Sequence, residues 1–253
     1  MRSTTLTVSN QPASLSGQWW NSGESGWGLH FVQRGSVVFA TWYTYDGAGN
    51  PKWYVAPHCA LPAAASSGSC AESLYEVNGP TFFEGAFNPA SARVSTAGQL
   101  NLTFTNANAG SMTYTVAGET RTVAITRQPF PAGTTQPPVD YTDVWWNPSE
   151  SGWGIAITHQ FGVMFLTWYV YDSAGKPGWY VASNCNVTAS GNGCTGTPYR
   201  TTGPALGATF DSSRVQAVAV GTVSLDFPGP DHGTLSFTVN GVSSARSITR
   251  QLF

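Results

Sequence analysis

The sequence predicts an all-β protein built from two tandem copies of one small antiparallel meander, each of about eight strands closed into a barrel or split into a sandwich. The composition is 13% aromatic and only 9% charged, which favours strands and turns. Short runs of Val, Thr, Tyr, Phe and Trp alternate with Gly, Asn and Pro, and no apolar stretch has the 3.6-residue period of a helix. The third observation is an internal repeat.

The repeat relates the two halves of the 253-residue chain at an offset of 126 positions, the difference between Trp19 and Trp145. Both copies contain W-W-N-x2-E-S-G-W-G, followed by T-W-Y-x-Y-D-x-A-G-x-P-x-W-Y-V-A from Thr41 and from Thr167. All 10 tryptophans belong to matched pairs. The predicted organisation is a tail at 1–16, a first module at 17–130, a proline-rich linker at 131–140 and a second module at 141–253.

Alternation and turn residues position the individual strands. In the first copy we expect them near 17–21, 26–33, 37–46, 52–58, 72–78, 100–105, 112–116 and 122–128, and the second copy repeats the pattern. The segment 46–51, D-G-A-G-N-P, predicts a hairpin turn, because Asp accepts local backbone hydrogen bonds and Gly supplies a positive φ. Helix should be nearly absent.

The four cysteines fall as two close pairs, one in each copy. The spacings are C-x10-C and C-x8-C, without the C-x2-C spacing of zinc sites. We therefore predict two local disulfides, Cys59 with Cys70 and Cys185 with Cys194, and neither a metal nor a cofactor. Such bonds contribute roughly 2 to 3 kcal/mol each and persist in oxidising compartments, so the protein is expected to be secreted, at the cell surface or periplasmic.

Charge and hydropathy exclude two classes of partner. The net charge is −2 with 11 Lys and Arg, and they form no basic run, so we expect no nucleic-acid partner. No segment approaches the roughly 18 to 20 apolar residues that span a bilayer, so we expect no membrane insertion.

Adjacent aromatic residues are the candidates for a binding function. Neighbours in a strand point to opposite faces, so Trp19 and Trp20 cannot both fill one core. Exposed aromatic rings beside Asn and Glu stack on the apolar faces of sugars. A repeated tryptophan taken singly is more often a core residue than a ligand contact, but the core is not expected to hold all of them. The predicted ligand-binding residues are Trp20, Asn21, Glu24, Trp27, Trp42 and Tyr43 in the first copy, and Trp146, Asn147, Glu150, Trp153, Trp168 and Tyr169 in the second.

Charged residues matched in both copies raise the question of catalysis. For Glu24 and Glu150 we favour an ion pair with Arg127 and Arg250 on the last strand of each module, with ligand contact or catalysis as alternatives. A glycosidase needs two carboxylates about 5 to 10 Å apart, and nothing in the spacing brings Glu24 near Asp46. No histidine is matched between the copies. We predict no catalytic residues.

The two blocks that match between the copies resemble a tandem tryptophan-rich module that recurs in exported proteins of proteobacteria and has no settled function. The resemblance covers nearly the whole chain; it implies export and duplication but no activity. We expect an exported binding module for a glycan or another extracellular ligand. The alternative is an assembly subunit of a surface layer, fibre or envelope complex with protein partners, and a hydrolase with a cleft between the copies ranks third.

Overall fold

The computed structural model describes residues 14–130, 137–205, 207 and 209–253. Strands make up 59% of the structure, and its helical part consists of three short 3-10 turns, Pro89–Ser91, Pro148–Glu150 and Ser212–Arg214. The all-β prediction is therefore confirmed. Most of the expected tail and residues 131–136 of the expected linker lie outside the described residues.

The first copy is a closed antiparallel barrel, here called barrel 1, in which each strand pairs with the next and the last with the first. Trp19 in the first strand pairs with Arg127 in the last, which closes the barrel. All eight expected strands are present. They are β1 Gly17–Trp20, β2 Gly28–Arg34, β3 Val37–Tyr45, β4 Pro51–Ala60, β5 Gly68–Asn78, β6 Arg93–Asn106, β7 Ala109–Val116 and β8 Glu119–Arg127.

The second copy, barrel 2, has the same plan with two strands interrupted. β13 and β14 together correspond to β5, and β15 and β16 together to β6. The sheet closes through pairing of β11 with β12, so both copies are barrels rather than sandwiches. The strands are β9 Asp143–Trp146, β10 Gly154–Gln160, β11 Val163–Tyr171, β12 Pro177–Val187, β13 Gly193–Gly196, β14 Tyr199–Thr202, β15 Gln216–Ala219, β16 Gly221–Asp226, β17 His232–Val239 and β18 Val242–Arg250.

The first tryptophan of each W-W pair fills a barrel interior. Trp19 is fully buried, with its ring centre 5.6 Å from that of Phe31, and Trp145 is fully buried beside Phe227 at 4.7 Å. Their neighbours Trp20 and Trp146 point the other way and are half-buried. The alternation expected for adjacent residues of a strand is thus observed in both barrels.

Both predicted disulfides are present. Cys59–Cys70 joins β4 to β5, and Cys185–Cys194 joins β12 to β13 at the corresponding place in barrel 2. All four cysteines are buried, so each bond lies within a barrel wall. Among the described residues no helix is long and apolar enough to cross a membrane.

The two barrels pack against each other through the same residues of each copy. The indole N–H of Trp53 donates to the carbonyl of Val170 at 3.1 Å, and that of Trp179, its equivalent in barrel 2, donates to Thr44 at 2.8 Å. Two backbone hydrogen bonds form a second matched pair. The N–H of residue 79 donates to the carbonyl of residue 175 at 3.0 Å, and that of residue 203 donates to the carbonyl of residue 49 at 3.2 Å. Each contact occurs twice, as at the two-fold interface of a homodimer.

The barrels also exchange loops. The loop that follows β5 crosses to barrel 2, where Phe82 is fully buried with its ring 4.8 Å from Trp153 and 5.1 Å from Trp168. In the opposite direction, Phe210 follows β14 and stacks on Tyr45 of barrel 1 at 6.3 Å. Part of the core of barrel 2 is therefore supplied by barrel 1, and Phe210 covers the outer face of barrel 1 at Tyr45.

Candidate functional site

Six of the predicted aromatic ligand-binding residues lie in the core and do not form exposed platforms. Each is 5% exposed or less: Trp27, Trp42, Tyr43, Trp153, Trp168 and Tyr169. The four tryptophans lie inside the barrels, whereas the two tyrosines point outwards and are covered by the other barrel. The ring of Tyr43 is 4.8 Å from that of Trp179, and the Tyr169 hydroxyl is 2.8 Å from the Thr41 hydroxyl. Burial raises the pKa of both phenols.

Glu24 and Glu150 hold tryptophans in place. Each carboxylate accepts the indole N–H three residues on, that of Trp27 at 3.2 Å and that of Trp153 at 3.1 Å. Their cationic partners are Arg121, which binds Glu24 through both terminal nitrogens, and Arg246, whose Nε lies 3.4 Å from Glu150. An ion pair to the last strand is therefore present in each barrel.

The expected partners Arg127 and Arg250 have a different role, so that part of the prediction is wrong. Arg127 donates to backbone carbonyls, including that of Ala107 at 3.1 Å, and its guanidinium lies over the Trp19 ring at 5.3 Å. Arg250 lies over Trp145 at 4.8 Å and pairs with the buried Asp143 at 2.9 Å. Both arginines cover the end of a barrel.

The asparagines of the W-W-N motif shape turns. The side-chain oxygen of Asn21 accepts the N–H of Gly23 at 2.9 Å, and that of Asn147 accepts the N–H of Ser149 at 2.9 Å. These bonds fix the chain that leads from each W-W pair to the glutamate. Both side chains remain half-buried.

Trp146 lines a groove between the two barrels, with a cavity volume of about 440 Å³. We call it the interbarrel groove. Barrel 1 contributes Phe39, Thr41, Trp53, Val55, Pro57, Tyr75, Val77 and Val94, and barrel 2 contributes Val144, Trp146, Ser151, Gly152, Trp153, Gly154, Tyr169 and Gln251. Of the predicted residues, Trp146 is half-buried at the groove, whereas Trp153 and Tyr169, like Trp53 of the other copy, are almost fully buried and border it with only a small part of their surface.

The groove is apolar, with a few polar side chains. None of the described residues that line it is charged. The hydroxyls of Thr41 and Tyr169 bond to each other, which leaves Tyr75, Ser151 and Gln251 to offer polar atoms. Val94 on the rim is 65% exposed. Such a lining suits an uncharged ligand with a flat apolar face.

The duplication provides an internal control, because the same surface occurs a second time with the copies interchanged. Several apolar residues of the groove have polar or smaller equivalents there: Val144, Pro57, Val77 and Val94 correspond to Gln18, Ser183, Thr201 and Ala217. The equivalent surface on the other side is also more tightly packed around Gly26, the residue that corresponds to Gly152. A Cβ built on Gly26 would lie 2.5 Å from Val215, whereas one on Gly152 would meet nothing nearer than 3.4 Å.

Sequence reasoning did not find the barrel 1 wall of this groove, which includes Phe39, Trp53 and Tyr75. The signal was present in the second half of the repeat. The W-Y pair at Trp53 places a large aromatic side chain on the outer face of β4, and the matched pair at Trp179 does the same on β12. Outward aromatics at matched positions are typical of a surface that meets its own copy.

No family model, curated protein or solved structure matches the chain. Among the described residues there is also no group of three or more His, Cys, Asp or Glu side chains with the geometry to hold a metal ion.

Proposed function

We propose that this protein is an exported binding module that holds an uncharged glycan in the interbarrel groove. The observation that carries the proposal is an uncharged, aromatic-lined groove of about 440 Å³ on one side of the barrel pair, where the equivalent surface on the other side is more polar and more tightly packed. Duplication alone would give two equal surfaces, so the difference arose after it.

The aromatic walls of the groove fit one property of a neutral sugar. Sugar rings present patches of C–H groups, which pack on the flat faces of tryptophan and tyrosine with little loss of side-chain entropy. Trp146 is half-buried, so part of its ring is open to a ligand. Tyr75, Ser151 and Gln251 would then supply hydrogen bonds to hydroxyl groups.

Export is the second part of the proposal. The two disulfides support it, because such bonds persist where the surroundings are oxidising. A cell-surface or periplasmic location would also bring the groove into contact with polysaccharides.

The proposal is tested by substituting Trp146 and its twin Trp20. We expect Trp146→Ala to raise the Kd for the best neutral ligand about tenfold or more, equivalent to about 1.4 kcal/mol, because the stacking surface is lost. The measurement is isothermal titration calorimetry with cellohexaose, laminarihexaose and maltohexaose on the oxidised protein.

Trp20→Ala is the matched control, since Trp20 occupies the same position in barrel 1 but does not line the groove. It should leave the Kd within about twofold, a difference of less than ~0.5 kcal/mol. Equal losses in the two variants, or no binding of any neutral oligosaccharide by the unmodified protein, would contradict the proposal.

The assembly alternative is favoured by a different observation. Within the described residues, β15 pairs with β14 alone, and all four of its residues are exposed, with Val218 at 63%. An open strand edge of this kind can pair with another chain. Sedimentation velocity distinguishes the assembly subunit from the binding module. Oligomers that form with rising concentration and that Val218→Lys abolishes would favour assembly. A monomer at every concentration would exclude it.

A further inference from the structure

A second cavity, of about 480 Å³, lies at one end of barrel 2. The turns that join β11 to β12 and β17 to β18 both border it, so it opens at the mouth of the barrel. Phe83, on the loop that barrel 1 donates, packs edge-on against Tyr180 at 5.5 Å, and both rings are half-buried. We call this cavity the barrel-mouth pocket. It is separate from the interbarrel groove, and the two share no lining residue.

The corresponding place in barrel 1 contains an ion pair. Lys52 and Glu76 are 2.7 Å apart, and the Lys52 ammonium lies 5.1 Å from the centre of the Tyr54 ring. The lysine and the glutamate therefore neutralise each other beside the tyrosine, and their side chains cover its ring.

In barrel 2 both members of that pair are replaced. Gly178 stands in place of Lys52, and Arg200 stands in place of Glu76, directly across from Tyr180 in the sheet. A Cβ built on Gly178 would meet no atom within 4 Å, so the missing lysine leaves open space. At these two positions the neutral pair is replaced by a single cation, and Asp172 is the other charge near Tyr180. Arg200 is exposed and forms no ion pair with any described residue.

The acidic groups around the pocket do not take the place of that partner. Asp46 and Asp172 each accept backbone N–H groups of their own turn, from residues two and four positions on, at 2.9 Å. Glu84 and Lys176 are exposed at the rim. A guanidinium with no carboxylate of its own suits a carboxylate that arrives with the ligand, which it can bind through two parallel hydrogen bonds.

We propose that the barrel-mouth pocket binds the carboxylated sugar units of an acidic glycan, with the carboxylate on Arg200 and the apolar face of the ring against Phe83 and Tyr180. Asn50 and Asn240 border the same cavity, and an asparagine amide can donate to and accept from ring hydroxyls. The proposal is independent of the interbarrel groove, since it depends on other residues and another class of sugar.

The test is calorimetric titration of the full chain with trigalacturonate and with galactotriose, its neutral counterpart. We expect the acidic trimer to bind at least tenfold more tightly and its affinity to fall as salt is raised. Arg200→Glu, which restores the residue of barrel 1, should raise the Kd for the acidic trimer at least tenfold. Arg200→Glu combined with Gly178→Lys rebuilds the ion pair and should abolish binding.

Two controls separate this site from other effects. Arg214→Glu makes the same charge change at an exposed residue outside the pocket and should leave the Kd within twofold. Trp146→Ala should also leave it unchanged, so failure of this proposal is distinguishable from failure of the groove proposal. Equal affinity for the two trimers, no binding of the acidic one, or equal losses in Arg200→Glu and Arg214→Glu would overturn it.

Discussion

Phe82→Ala is expected to lower the free energy of unfolding by about 3 to 5 kcal/mol, although Phe82 lies in a loop. The side chain is fully buried, and apart from Phe83 and Phe87 of its own loop its aromatic neighbours belong to the other barrel. Trp153, Trp168 and Phe237 surround the ring at 4.8 to 5.7 Å. Removing it leaves a cavity in barrel 2 and loosens the contact between the barrels. Urea denaturation followed by tryptophan fluorescence measures the loss.

A conservative variant at the same position provides the control. The G-P pairs at 79–80 and 203–204 align Phe82 with Leu206, so the second copy has leucine at this place in its sequence. Phe82→Leu keeps an apolar side chain and should lose about 1 kcal/mol. If Phe82→Ala has the same midpoint as the unmodified protein, the loop does not insert into barrel 2.

Acidification is expected to destabilise the protein through His30. This side chain is 1% exposed, and its Nε2 lies 3.0 Å from the carbonyl of Ile157 in the other barrel. Burial lowers the pKa of His30 to about 4 from 6.5. Because the folded state favours the neutral ring, the contribution of His30 to the free energy of unfolding is fully present above pH 6.5. It falls by about 2 to 3 kcal/mol as the pH drops towards 4.

The contribution of His30 is isolated by comparison with His30→Gln, which does not titrate and can still donate to Ile157. We expect the difference in free energy of unfolding between the two proteins to change by that amount between pH 7.5 and pH 4.5. The carboxylates titrate in both proteins and cancel. A difference that stays constant with pH would show that His30 is accessible to water.

The fold could be predicted from sequence because the information is local and repeated. Alternation identified all eight strands of barrel 1, and the matched cysteines identified both disulfides. The predicted starts of two strands were too late. β5 begins at Gly68, four residues before the predicted start, and ends at 78 as expected. β6 begins at Arg93 and not near 100, because its first residues pair with the end of β5 in the hairpin from which the exchanged loop emerges.

The candidate site was less predictable, because no pattern in the sequence states which outer surface is covered. Large side chains on both faces of β3, such as Trp42 and Tyr43, exceed the needs of one small core. Such outward side chains predict a ligand surface, but in the structure most of them pack at the contact between the two barrels. The partners of Glu24 and Glu150 were missed because Arg121 and Arg246 are not equivalent positions, so the repeat does not match them.

Cleavage between the barrels tests most directly the central claim that the two copies form one unit, on which the groove and the pocket both depend. A protease site placed at 131–136 would be cut in the folded, oxidised protein, and the product analysed by size-exclusion chromatography. We predict that the halves stay together in one particle of unchanged elution volume and unfold in one transition, since Trp53, Trp179 and Phe82 still join them. Elution as two separate half-size barrels would contradict the account.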